Sequence, residues 1–185
     1  MTEEYNKDYK KDYKVERFET YIDMTEFFEK YFDFSITHAK CQACPGYRGT
    51  WACPDFDFDT KKFLSKFKRF HFILDRVSNS GAATVDEAKD RLFFEKDRYD
   101  AEMRDIESSI PGSYGLAAQE CVACKKCARL SGLPCVHPEI MRYGLESIGA
   151  FPTKMVPDKF GFPILWSDGT SIPEYYVLAG GVFEP

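Results

Sequence analysis

Between Lys14 and Ile22 apolar and polar positions alternate loosely among β-favouring residues, and this predicts a strand. Asp23, followed three residues on by Glu26, predicts the start of a short helix with Met24, Phe27, Phe28 and Tyr31 on one face. Pro and Gly punctuate Cys41 to Asp55, which predicts a loop. Phe63, Leu64 and Phe67 suggest a short helix after Asp59, and Phe70, Phe72 and Leu74 alternate as a strand that ends before Ser78-Asn79-Ser80-Gly81. Thr84 with Glu87 forms a capping box, and Ala88, Leu92, Tyr99, Met103, Ile106 and Ile110 then keep a long helical face until Pro111-Gly112 stops it. Tyr114, Leu116 and Ala118 alternate as a strand leading into a second cysteine segment. After Pro138, Met141, Leu145 and Ile148 recur at helical spacing and predict a helix stopped by Gly149. A final strand is expected near Tyr175 to Phe183.

These elements, with no internal repeat, predict a single α+β domain over residues 13–185. It would have a small mixed or antiparallel sheet, packed helices and two cysteine-bearing metal loops. Residues 1–12 are charged and aperiodic and predict a flexible N-terminal tail. A chain of 185 residues can bury a core without a metal or disulfide, and 17 Phe with 11 Tyr predict that this core is aromatic.

A net charge of -5 removes the basic field that draws a protein onto phosphate backbones or anionic membranes. No stretch of about 18 apolar residues would span a bilayer, and Met1 to Lys14 has no apolar run that would serve as a signal peptide. The expectation is a cytoplasmic protein with neither nucleic acid nor membrane as partner. In a reducing compartment seven cysteines point to metal or redox chemistry, and an odd count cannot be fully paired within one chain.

The second segment reads Cys121-x2-Cys124-x2-Cys127-x7-Cys135. A tetrahedral zinc is normally gripped by two separate Cys-x2-Cys knuckles. Three thiolates at successive three-residue steps suit the separate irons of a [4Fe-4S] cluster, as in the ferredoxin run C-x2-C-x2-C-x3-C-P. Here the fourth cysteine comes after seven residues and is not followed directly by Pro, so a ferredoxin fold is not implied. Ala128 to Pro134 is long enough to loop Cys135 back and close the site.

The first segment, Cys41-x2-Cys44-x8-Cys53-Pro54, offers only three thiols. It would leave one metal position open or recruit His38; an open position is what a Lewis-acid or substrate-binding metal needs. Alternatively Cys53-Pro54 could ligate the cluster of the other run, as Cys-Pro does in two-cluster ferredoxins. The spacing does not choose between these pairings.

These residues resemble the family of predicted metal-binding proteins DUF2284. The resemblance rests on Cys41-Gln-Ala-Cys44 with Tyr47-Arg-Gly-Thr-Trp51-Ala-Cys53-Pro54, then Cys121 through Cys135 to Pro138, and it covers about Ile36 to Gly149. Asp55 stands where the pattern has a second proline, and the Arg48-Gly49 order also departs from it. The resemblance implies metal binding and no established reaction.

Other residues are weighed against plain structural roles. Trp51 could shield a cluster from water or simply pack, and Tyr47 and Arg48 could donate to cluster sulfurs, bind an anionic substrate, or pack at the surface. His137 is better placed as a helix-start residue than as a ligand, and His71 as a strand residue. Glu146, on the expected helix, could donate a proton near a cluster or be an ordinary exposed glutamate. Lys125 and Lys126 could offset cluster charge or be solvated. Three readings follow. The first is an iron-sulfur protein with one or two [4Fe-4S] clusters, a redox role and a redox partner protein. The second is an enzyme with an open iron held by Cys41, Cys44 and Cys53, and the third a zinc-stabilised module without catalysis.

Overall fold

The structure is a computed structural model, and it describes residues 12–185; most of the expected tail, residues 1–11, lies outside the described residues. Strand β1 (Val15–Asp23) ends at Asp23, whose carboxylate accepts from the Thr25 N–H at 2.7 Å and starts α1 (Met24–Glu26). The helix continues as a wider π-helical turn, Phe27–Tyr31, which turns Phe27 and Tyr31 into the core. Helix α2 (Phe34–Gln42) follows, capped by Asp33. Helix α3 (Thr60–Leu64) is capped by Asp59 and leads into β2 (Arg69–Ser78). The long helix α4 (Val85–Ser109) begins at Thr84, which accepts from the Glu87 N–H at 3.1 Å, while the Glu87 carboxylate reaches back to the Ala83 N–H at 2.8 Å. Strand β3 (Tyr114–Leu116), helix α5 (Pro152–Phe160) and β4 (Tyr175–Glu184) complete the order.

The four strands form one antiparallel sheet in the order β1-β2-β4-β3. Its two faces carry separate cores, because successive side chains on a strand point to opposite sides. Ile73 and Val77 of β2, with Tyr176 and Leu178 of β4, pack against Ala88, Leu92, Tyr99 and Met103 of α4. Phe70, Phe72, Leu74, Val177 and Phe183 pack on the other face against Phe27, Tyr31, Leu64, Met155 and Val156. This second core is aromatic, as the composition predicts: Phe70 stacks on Phe183 at 4.4 Å, and Phe27 meets Phe183 edge-on at 5.5 Å. On the α4 side, buried Asp75 accepts from both Arg17 and Arg98, tying β1 and α4 to β2.

Two expectations are corrected. Cys41 does not lie in a loop but in the last turn of α2, a helix that the apolar spacing does not announce. Residues 138–148 form turns and irregular backbone rather than a helix. Their backbone groups pair outside the segment: the Tyr143 carbonyl accepts from the Ala117 N–H at 3.0 Å, and the Gly149 carbonyl from the Asp33 N–H at 2.9 Å. A side chain at Gly144 would also come within 2.6 Å of the Gln119 carbonyl. Leu145 and Ile148 are buried as expected, but by tertiary pairing instead of a helical face. The helix of this region starts later, with Pro152 in its first turn.

Candidate metal centre

Helix α2 delivers Cys41, and the chain then runs through consecutive turns to Cys53: the Cys44 N–H donates to the Cys41 carbonyl at 3.0 Å, Tyr47 to Cys44 at 3.0 Å, and Cys53 to Thr50 at 3.1 Å. The thiolate sulfurs acquire local donors as well, Gly46 N–H to Cys44 Sγ at 3.4 Å and Thr50 hydroxyl to Cys53 Sγ at 3.4 Å. Cys41, Cys44 and Cys53 all line one cavity of about 690 Å³. Burial pushes the Cys41 thiol up to about 11, and the negative charges of Glu146, Cys53 and Cys44 push in the same direction. The three thiols are therefore electrostatic neighbours.

The second segment leaves β3 along a buried clamp. Lys96 of α4 is fully buried and donates to the Ala118 carbonyl and, at 2.5 Å, to Asp100, whose other oxygen accepts from the Ala118 N–H at 2.9 Å. Three residues on, burial raises the Cys121 thiol, the Ala123 N–H and Lys96 oppose the rise, and Cys135 and Cys124 add to it. Cys127 opens a 3-10 turn, Ala128–Ser131, and Gly132 in the left-handed region ends it and sends the chain back toward Cys135. All seven cysteines are free, six of them half-buried and Cys44 exposed. Among the described residues, no group of three or more His, Cys, Asp or Glu side chains is gathered as a single-ion site.

The two segments are fastened to each other. Arg129, in the 3-10 turn, donates to the carbonyls of Thr50 at 2.7 Å, Cys53, and Asp55 at 2.8 Å. Its guanidinium lies 5.2 Å from the Trp51 ring, and the Trp51 indole N–H donates to the Leu133 carbonyl at 3.0 Å. Trp51 thus joins the loops rather than standing alone over one of them. Arg129 was not among the residues that motif spacing singles out, since its partners are backbone groups over seventy residues away.

His38 faces Asp55: its Nε2 lies 2.6 Å from the Asp55 carboxylate, which also accepts from the Tyr47 hydroxyl at 2.8 Å, while Phe34 stacks on the imidazole. Tyr47 and His38 hold the Asp55 carboxyl below its usual range. His38 is engaged by a carboxylate, and Asp55 joins His38 and Tyr47 across this loop. His137 pairs with Glu139 at 3.3 Å, and His71 with Glu19 at 3.1 Å. Lys125 and Lys126 are exposed. Glu146 is on a turn, not a helix, and is exposed toward the cavity it lines; the surrounding protein and then the charge of Glu120 raise its pKa. The cavity is completed by Leu92 and Phe93 of α4, Val177 and Ala179 of β4, and the 164–167 loop with exposed Trp166.

Seven reduced thiols in two linked groups are a donor set that suits a thiophilic metal or an iron-sulfur centre far better than calcium or magnesium, which take oxygen ligands. Among the described residues, no helix is long and apolar enough to cross a membrane. No curated protein and no solved structure matches the chain. Residues 34–182, which include both cysteine segments and most of the cavity wall, match the family described as "Predicted metal-binding protein (DUF2284)", and the chain belongs to that family.

Proposed function

We propose that this metal-binding protein is a cytoplasmic iron-sulfur protein with one or two [4Fe-4S] clusters and a redox role. Cys121, Cys124, Cys127 and Cys135 would hold a closed cluster, and Cys41, Cys44 and Cys53 a second centre. The observation that carries this reading is the fastening of the two thiol groups by Arg129 and Trp51, which brings two redox-capable donor sets onto one joined segment pair. Such a cluster supplies one-electron transfer. The chain's part is to place the thiols, donate to Cys44 and Cys53 through Gly46 and Thr50, and limit water through Trp51. On the outer side, Leu130, Leu133 and Val136 are exposed apolar residues beside Lys125 and Lys126, a surface suited to a redox partner protein. Separate Cys135→Ser and Cys53→Ser variants, purified without oxygen, test the assignment. Each is expected to lose about half of the iron if the sets hold separate clusters; full iron retention by either variant contradicts it.

The cavity favours a second reading, in which the three-thiol centre keeps one iron open to a substrate. All three thiols line the cavity, whereas none of the other four does. The imidazole that could have closed the site is held by Asp55. Cyanide added to the anaerobic protein is expected to change the paramagnetic signal of one cluster, and an unchanged signal contradicts an open iron.

A further inference from the structure

Strand β4 has a neighbour on both sides only near its C-terminal end. Strand β3 pairs with it at Gly181, Val182 and Phe183 and ends at Leu116. The chain is then pulled out of the sheet, because the Ala117 N–H donates to Tyr143 at 3.0 Å and Ala118 is held by Asp100 at 2.9 Å and by Lys96. Among the described residues, Tyr175 to Gly180 therefore have β2 on one side and no strand on the other.

In an antiparallel ladder the N–H and C=O groups of alternate residues face the same neighbour. The Glu174 carbonyl accepts from the Asn79 N–H at 3.0 Å, which turns the even-numbered residues of β4 toward β2. The odd-numbered Tyr175, Val177 and Ala179 then face the other side, in the same parity as Gly181 and Phe183, which oppose Leu116 and Tyr114. Val177 and Ala179 also line the cavity, and among the described residues no hydrogen bond reaches their backbone from that side.

We infer that the cavity binds a short, extended apolar peptide segment whose main chain continues the line of β3 along Val177 and Ala179. An N–H and C=O pair on each of two alternate residues, about 6.8 Å apart, matches successive amides of an extended chain and is too widely spaced for one isolated amide. Leu92 and Phe93 on one side and Ile164, Leu165 and Trp166 on the other offer apolar contact to its side chains. Lys40 and Lys89 are balanced by Glu120 and Glu146 around the same cavity, so uncharged side chains suit it. This names the substrate class of the open-site reading and rests on that reading for any chemistry, though binding needs no metal.

The test is a calorimetric titration of the anaerobically purified protein with an acetylated, amidated pentapeptide of alternating alanine and valine. The parent peptide binds, and its backbone N-methylated counterpart binds about tenfold or more weakly, since each of the lost hydrogen bonds is worth about a factor of five. Ala179→Pro removes one outward N–H without touching the β2 ladder, and it weakens the parent peptide about fivefold. Should that variant fail to fold, the N-methylated peptide decides alone. Equal binding of both peptides, or no binding of the parent, overturns the site. Iron and sulfide are measured on the same sample, so that peptide binding by iron-free protein supports this site while contradicting the iron-sulfur reading.

Discussion

Arg129 lies between Cys127 and Cys135, yet its hydrogen bonds go to carbonyls flanking and following Cys53. Arg129→Ala leaves those carbonyls without their charged donor, at a cost of about 1–3 kcal/mol, and should lower the thermal midpoint and speed iron release from the anaerobic protein. Arg129→Lys, which keeps the charge but not the planar fork, should recover only part of this. Cys41 gives a prediction in pH. Its folded thiol is raised from 9.0 to about 11, so the metal-free fold keeps its full stability below the lower value. Between the two the unfolded chain holds fewer protons than the folded one, and stability falls as pH rises. Cys41→Ser should flatten that part of the stability profile measured by denaturant titration. The cysteines themselves were legible because thiol chemistry needs no context to be noticed. Arg129 and Asp55 were not, because their roles depend on carbonyls and side chains that only the fold brings near. His38, read as a possible recruited ligand, lies with its Nε2 2.6 Å from the Asp55 carboxylate, a contact that the spacing of the cysteines does not announce.

At the scale of elements, the capping box at Thr84 and the regular spacing from Ala88 to Met103 made α4 readable, and the alternation in β2 and β4 did the same for the sheet. Helix α2 has no apolar stripe, since its only buried residue is Thr37, so periodicity could not find it; Asp33 as N-cap was the available signal. The opposite error at residues 138–148 has the complementary cause: apolar spacing was helical, but Tyr143 and Gly149 give their carbonyls to other segments. Helix α4 also positions the second cysteine segment through Lys96 and Asp100. Lys96→Met leaves the mostly buried Asp100 carboxylate unpaired and should cost about 3–5 kcal/mol in denaturant unfolding. The double variant with Asp100→Leu should cost clearly less, because no buried charge is then left alone. Equal losses in the single and double variants would show that the ion pair does not hold this region.

For the whole molecule, one antiparallel sheet carries α4 on one face and an aromatic core on the other; the second cysteine segment follows β3, and the first lines a cavity that reaches Val177 and Ala179 of β4. A fold of this size has its own core and does not require a metal to exist, so the linked thiols are better explained by chemistry than by stability. The α+β class was legible because strand and helix periodicities differ. The cavity was not, because it is bounded by residues from α2, α4, α5, β4 and four irregular stretches that are far apart in the chain. The central claim is that these thiols hold iron and sulfide. Anaerobic purification followed by iron, zinc and acid-labile sulfide analysis, with paramagnetic resonance on the reduced sample, tests it most directly. A brown protein with iron and sulfide in equal amounts and a [4Fe-4S] signal is expected; a colourless protein loaded with zinc and free of sulfide overturns the iron-sulfur reading.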